Sequence, residues 1–271
     1  MCHVIVITSG KGGAGKTTAV AGIGAALASK KSRVVLIDTD IGLRNLDVIL
    51  GLEERILFDI VDVASGECDI KQALVRHTEH ETLFLLPAAQ TRDKGRVSPQ
   101  IMQEMVEKLK QEFDFVLIDC PAGIGSGFKN AVAGADSAIV VTNPEVSAVR
   151  DADRVIGILA TYDIPSPRLI INKIRPGMVK RGDMMSVSDI LDVLNATLLG
   201  IIPDDEAVIK AGNIGRSIAD MDSPAALAYK NIAGRILGVE VEPVLFSGKK
   251  MKKQSAGKAG FWTKIFGGVG A

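Results

Sequence analysis

The sequence predicts an α/β fold: a largely parallel, twisted sheet with helices on both faces in three layers, followed by an amphipathic C-terminal tail. Three observations carry that expectation. Short β-branched runs alternate along the chain with longer helical patterns. The first strand runs directly into a glycine-rich loop and a helix. Four strands end at polar or glycine-rich turns, Thr8-Ser9-Gly10, Asp38-Thr39-Asp40, Asp119-Cys120-Pro121 and Asn172-Lys173. Ligands of open α/β sheets bind at the carboxyl ends of the strands, so these turns are expected to converge on one site.

Taken in order, strands are expected near residues 3–8, 33–38, 83–86, 114–119, 137–142, 168–172 and 198–202. Helices are expected near 16–30, 56–64, 98–112, 147–161, 186–195, 205–211 and 224–236. The apolar share of 47% with 24% charge is that of a globular chain of 271 residues able to bury a core. No apolar run approaches eighteen residues, so no membrane span is expected. Cys2, Cys68 and Cys120 are odd in number and far apart, which points to reduced thiols and a cytoplasmic protein. His77 and His80, among Glu79 and Glu81, imitate a metal pair but read as a polar surface loop.

The loop Gly10-Lys11-Gly12-Gly13-Ala14-Gly15-Lys16-Thr17 satisfies the phosphate-binding pattern G-x4-G-K-[ST]. Its glycines let successive backbone N–H groups turn inward around a polyphosphate, and Thr18 continues the helix N-terminus. Lys16 supplies a point charge to the β- and γ-phosphates, and the Thr17 hydroxyl suits Mg²⁺. A nucleoside triphosphate is therefore the expected ligand. Two further apolar strands, Val34 to Ile37 and Phe115 to Ile118, each deliver an aspartate just past their ends, Asp38 with Asp40 and then Asp119. Two such strands beside a phosphate loop favour Mg²⁺-linked phosphoryl chemistry over simple turn formation.

Together these residues resemble the deviant Walker A ATPases of the MinD/ParA family of P-loop NTPases. The deviant K-G-G-x-G-K-[ST] motif stands at Lys11 to Thr17, the Asp-x-Asp switch I element at Asp38-Thr39-Asp40, and switch II at Asp119-Cys120-Pro121-Ala122-Gly123. The resemblance implies an ATP-bound homodimer in which Lys11 reaches the partner's phosphates. It implies that Asp40 orients the attacking water, that Asp38 supports the water shell of Mg²⁺, and that Asp119 holds the metal through water. It also implies that Asn172 reads the adenine ring, with Pro203 and Asp204 in a loop that contacts the base. The loop strings 40–47, 87–94, 142–151 and 181–184 resemble the cell-division branch. That branch implies a MinC-like division inhibitor, a MinE-like or other topological activator, and a docking surface including Arg150, Asp151 and Asp153.

The neutral formal charge hides an asymmetry. From Ser247 onward there are six lysines and no acidic residue, leaving 26 basic against 32 acidic residues in the first 246, a net of −6. Three segments are expected: an ATPase domain over 1–246, a basic flexible linker over 247–260, and a membrane-targeting tail over 261–271. On a helix Phe261, Trp262, Ile265 and Phe266 share one face, with Lys264 beside it, the pattern of an anchor on anionic lipid. A cytoplasmic protein held peripherally on the inner face of the cell membrane is the resulting expectation. DNA partitioning of the ParA type and flagellar-number control are the alternatives. DNA binding is not expected as the main role, because the basic charge lies in the tail and not on the body. An iron–sulfur carrier on the same scaffold would need paired thiolates that the three cysteines do not supply.

Overall fold

The computed structural model describes residues 2–90 and 96–241. The linker, the tail with Phe261, Trp262, Lys264, Ile265 and Phe266, and part of the 87–94 string lie outside the described residues.

The chain begins with strand β1 (His3–Thr8), helix α1 (Lys16–Ala28), β2 (Val34–Asp38) and α2 (Leu46–Leu50). There follow α3 (Ile60–Ala64), α4 (Ile70–Ala73), β3 (Val75–Arg76), β4 (Leu83–Leu86), α5 (Pro99–Leu109) and β5 (Phe115–Asp119). The second half holds α6 (Ser126–Val132), β6 (Ser137–Thr142), α7 (Val146–Ala160), β7 (Arg168–Ile174) and α8 (Pro176–Arg181). It ends with α9 (Val187–Leu194), β8 (Thr197–Pro203), α10 (Glu206–Asn213) and α11 (Pro224–Ile236). The eight strands lie in the order β3-β4-β2-β5-β1-β6-β7-β8, and every pairing is parallel except β3 with β4.

Side chains alternate across a strand, and β1 divides them accordingly. Val4 and Val6 join one buried cluster with residues of α5, α6, α7 and α9, while Ile5 and Ile7 join another with residues of α1 and α11. These are the two interfaces of a three-layer sandwich. Both faces of the central strands are buried, which is why they read as continuous apolar runs. From β1 the chain crosses to β2 on one side of the sheet, whereas the neighbouring β6 connects to β7 on the other, so the loop after β1 opens at the switch point.

All seven expected strands are present. The expected helix over 56–64 is shorter, a 3₁₀ turn at Glu53–Arg55 followed by α3, whose start is fixed by an Asp59–Asp62 capping box. Helices α2, α4, α6 and α8 and the edge strand β3 were not expected.

One expectation needs correction. His77 does not lie in a polar surface loop: it is buried, 4% exposed. Its Nδ1 accepts the N–H groups of Glu79 and His80, both at 3.1 Å. The ring proton therefore sits on Nε2, which is buried with no partner. His80 turns its Nε2 to Asp220, 2.9 and 3.0 Å from the two carboxylate oxygens, tying the β3–β4 turn to the segment before α11. Both rings are thus engaged in fixing the turn and its neighbour.

Burial, then the neighbouring His80, hold His77 below the ordinary histidine range. The unfolded chain then binds the proton more readily than the fold, so stability falls as pH drops below about 6.5. His77→Gln keeps an acceptor for the two N–H groups and removes the titration. Urea unfolding between pH 5.5 and 7.5 is expected to give a shallower acid-side slope for this variant than for the wild type.

Candidate functional site

The loop between β1 and α1 is built to present amides. Gly13 and Gly15 adopt left-handed backbone, at φ 77° and 95°, and Gly15 caps α1 without any side-chain hydrogen bond. The first N–H groups of α1 therefore remain available to an anion. Lys16 and Ala14 are buried, Thr17 and Thr18 half-buried, and Lys11, Gly12 and Gly13 exposed. A Cβ on Gly15 would overlap the Asn172 amide nitrogen, and a Cβ on Gly10 would overlap the backbone of Asp151 on α7. The loop is thus wedged between the end of β7 and the flank of α7.

From β7, the Asn172 amide donates to the Ala14 carbonyl at 2.8 Å, and the Lys173 ammonium donates to the Gly13 carbonyl at 3.0 Å. Asn172 Oδ1 accepts the N–H of Lys173 at 2.9 Å, so both ends of its amide are engaged within the protein.

The carboxylates converge from neighbouring strands. Asp38 and Asp119 are register partners on β2 and β5, each 1% exposed. Thr39 joins the two strand ends, its hydroxyl donating to the Asp119 carbonyl at 2.6 Å. One Asp38 oxygen accepts the N–H of Asp40 at 2.9 Å and the other that of Leu46 at 3.3 Å. Asp38 thereby closes the 40–46 loop at both ends. Arg44 in that loop has φ 28°, and its Nε lies 2.6 Å from the buried Asp47.

Desolvation raises the pKa of both strand-end aspartates. Burial and then the facing Asp38 push Asp119 up to about 8, against the Thr17 hydroxyl and Lys16, which favour its ionised form. Burial pushes Asp38 up to about 6, opposed by the N–H groups of Asp40 and Leu46. Asp119 Oδ1 is buried with no hydrogen-bond partner. An orphaned carboxylate oxygen beside a threonine hydroxyl is the donor set that a hard divalent cation such as Mg²⁺ favours, and the site fits one.

Asp40 is half-buried and lines a cavity of about 200 Å³ with Thr39, Ile41, Pro121, Ala122 and Phe128. Pro203 is buried at the end of β8, and Asp204 next to it pairs with Arg175 at 2.5 Å. A larger cavity of about 580 Å³ opens beside the loop, lined by Asn143, Glu145, Lys173, Met178, Met184 and Asp204 among others. The Lys11 ammonium stands 3.6 Å from Glu145, ahead of α7, and its side chain is about half exposed. On α7, Arg150 and Asp153 are exposed and Asp151 is half-buried against Gly10.

The four expected turns do converge. Lys11, Lys16, Thr17, Asp38, Asp40, Asp119 and Asn172 surround one loop, with Asp204 at its rim and Arg150 and Asp153 on the adjoining helix. Lys173 and Glu145, which contact loop residues, carry no sequence signal of their own. A lysine after a strand-end asparagine, or a glutamate before a helix, is ordinary.

Residues 2–162 match the family described as an AAA domain. The septum site-determining protein MinD of Bacillus subtilis is 57% identical over 244 residues, 89% of this chain and 91% of that protein. Among solved structures, the MinC:MinD cell division complex of Aquifex aeolicus aligns with a TM-score of 0.83 and 47% identity, over 89% of this chain and 98% of that one. Septum site-determining MinD of Pyrococcus horikoshii, solved with Mg-ADP, aligns with a TM-score of 0.79 and 29% identity, over 87% and 96% of the two chains.

Proposed function

This chain belongs to the septum site-determining MinD family of P-loop ATPases, and from that premise we propose a nucleotide-switched membrane clamp. It hydrolyses ATP. Bound ATP joins two copies face to face, the pair attaches to anionic lipid on the inner membrane face, and there it recruits a division inhibitor. Hydrolysis, stimulated by an activator, releases it.

The observation that carries this reading is the position of Lys11. A lysine serving its own phosphates would fold into the loop. This one pairs with Glu145 and stays about half exposed, within reach of a facing subunit. Its charge then acts in trans, as an arginine finger does. Within each subunit the amides of residues 12–18 and the Lys16 ammonium bind the phosphates. Asn172, Pro203 and Asp204 border the base. Thr17 and Asp119 would hold Mg²⁺, with Asp38 supporting them, and the ion would supply positive charge to the phosphates. Asp40, past the end of β2, orients the attacking water. Catalysis of this kind is chiefly alignment and charge stabilisation, which a rigid loop provides.

The MinC:MinD cell division complex of Aquifex aeolicus supports an inhibitor of MinC type as partner. We assign its docking, and that of an activator, to the exposed flank of α7 with Arg150, Asp151 and Asp153. Gly10 touches Asp151 directly, so a change in the phosphate loop reaches this flank without an intermediary.

No helix among the described residues is long and apolar enough to cross a membrane. Attachment in this proposal belongs to residues 261–271. Four large apolar side chains provide about 6–8 kcal/mol gross, of which ordering a short helix removes roughly half. Each nearby lysine adds about 1 kcal/mol on anionic lipid. One tail binds weakly, and two in a dimer gain avidity. Sedimentation with phosphatidylglycerol vesicles tests this. The full-length protein is expected to pellet with a non-hydrolysable ATP analogue and stay in solution with ADP. Trp262→Glu is expected to stay in solution with either. Equal pelleting with both nucleotides would refute the switch.

A further inference from the structure

We propose that Lys173 is a positioning residue of the phosphate loop: with Asn172 it pins the Gly13 and Ala14 carbonyls outward and so turns the next two amides toward the phosphates. The inference rests on the ATPase reading and adds a residue to its binding step.

The geometry is unusual for a strand end. In extended backbone, residues 172 and 173 would point to opposite faces of the sheet. Here the β7–β8 register shifts between Ile171 and Ile174, and Lys173 adopts φ 58°, in the left-handed region. That bulge brings two successive side chains onto one loop. Asn172 takes the Ala14 carbonyl and Lys173 the Gly13 carbonyl, at 2.8 and 3.0 Å.

A trans peptide is planar, with its C=O and N–H opposed. Fixing the Gly13 carbonyl toward Lys173 therefore fixes the Ala14 N–H the other way. Fixing the Ala14 carbonyl toward Asn172 does the same for the Gly15 N–H. Gly13 and Gly15 leave the loop conformationally free, so without these two contacts the amides would have to be ordered when the anion arrives. Preorganised donors bind without that loss. An exposed lysine hydrogen bond alone would carry little weight. The left-handed backbone is the independent observation, because a non-glycine residue held there signals a constraint that the surroundings maintain.

Glycine separates function from fold. Lys173→Gly removes the ammonium and also relieves the left-handed backbone. Lys173→Ala removes the ammonium and keeps the strain, and Lys173→Arg keeps a cation. Titration calorimetry of full-length protein with Mg-ADP and with a Mg-bound ATP analogue, together with melting of the nucleotide-free protein, provides the readouts. Lys173→Gly is expected to weaken both nucleotides about five- to tenfold while melting no lower than wild type. In turnover the loss falls on KM rather than kcat, and Lys173→Arg recovers most of the affinity. Affinity of Lys173→Gly within twofold of wild type would overturn the assignment. So would an affinity loss accompanied by a matching drop in melting temperature. Failure of the wild type itself to bind nucleotide is a different result, and would remove the ATPase reading as well.

Discussion

Lys11→Ala is expected to lower activator-stimulated ATP turnover by about 10³-fold, the scale of a lost trans cation, while nucleotide affinity changes little. The expectation follows from where the lysine stands. Its ammonium lies against the Glu145 carboxylate, and both side chains are about half exposed, at 51% and 56%. An exposed pair of this kind holds weakly and exchanges easily. In the proposed site the phosphate contacts within the subunit fall to the loop amides and Lys16, which the substitution leaves in place.

Mixing gives the sharper test. In a heterodimer of Lys11→Ala with Asp40→Ala, the phosphate loop of the first subunit keeps its own Asp40 and receives Lys11 from the second. One site of two is then complete. Half of the dimers formed by random exchange are mixed, so an equal mixture is expected to regain about a quarter of wild-type activity. Each variant alone stays inactive. A mixture as inactive as its components would show that Lys11 acts within its own subunit, and the two-subunit site would be abandoned.

The parts legible in the sequence were those whose cause is local. β1, the loop and α1 follow from an apolar run, closely spaced glycines and a helical pattern in one stretch, and the structure has them at His3–Thr8 and Lys16–Ala28. Asp38 and Asp119 were readable because each directly ends a buried strand. Their adjacency was not, since it depends on β2 and β5 pairing across some eighty residues. Helices α2, α4, α6 and α8 span only four to seven residues, too few turns for a 3.6-residue period to register. They are set by caps and by packing. The two-residue strand β3 exists only because β4 offers an edge. His77 looked polar by composition among its charged neighbours. It is buried because the turn that follows folds its N–H groups onto the ring. Lys173 was hidden for a related reason: its left-handed backbone arises from a register shift against β8, and no residue type announces it.

Asp119→Asn is expected to abolish Mg²⁺-dependent hydrolysis, by at least about 10³-fold, and to make the nucleotide-free protein more stable. The two effects have one cause. Asp119 is buried opposite Asp38, and burial followed by that facing carboxylate lift it to about 8. In the unfolded chain it titrates near the usual carboxylate value. Between those limits the fold binds more protons than the unfolded chain, so this group's contribution to stability falls as pH rises from about 4 to about 8. Asparagine removes the ionisation. Its carbonyl still accepts from Thr17 and its amide faces Asp38, so the buried pair becomes neutral against charged. A gain of about 1–2 kcal/mol is expected near pH 7.5, roughly 2–8 °C in melting midpoint. The difference from wild type should shrink toward pH 5, where wild-type Asp119 is protonated. In the wild type, Mg²⁺ binding must displace that proton. Calorimetry in buffers of different ionisation enthalpy is expected to show proton release at pH 7 for the wild type and less for Asp119→Asn. A variant that melts at or below wild type across this range would mean the Asp38–Asp119 pair is not a strained site kept for its ligand, and the assignment of Asp119 to the metal would lose its physical basis.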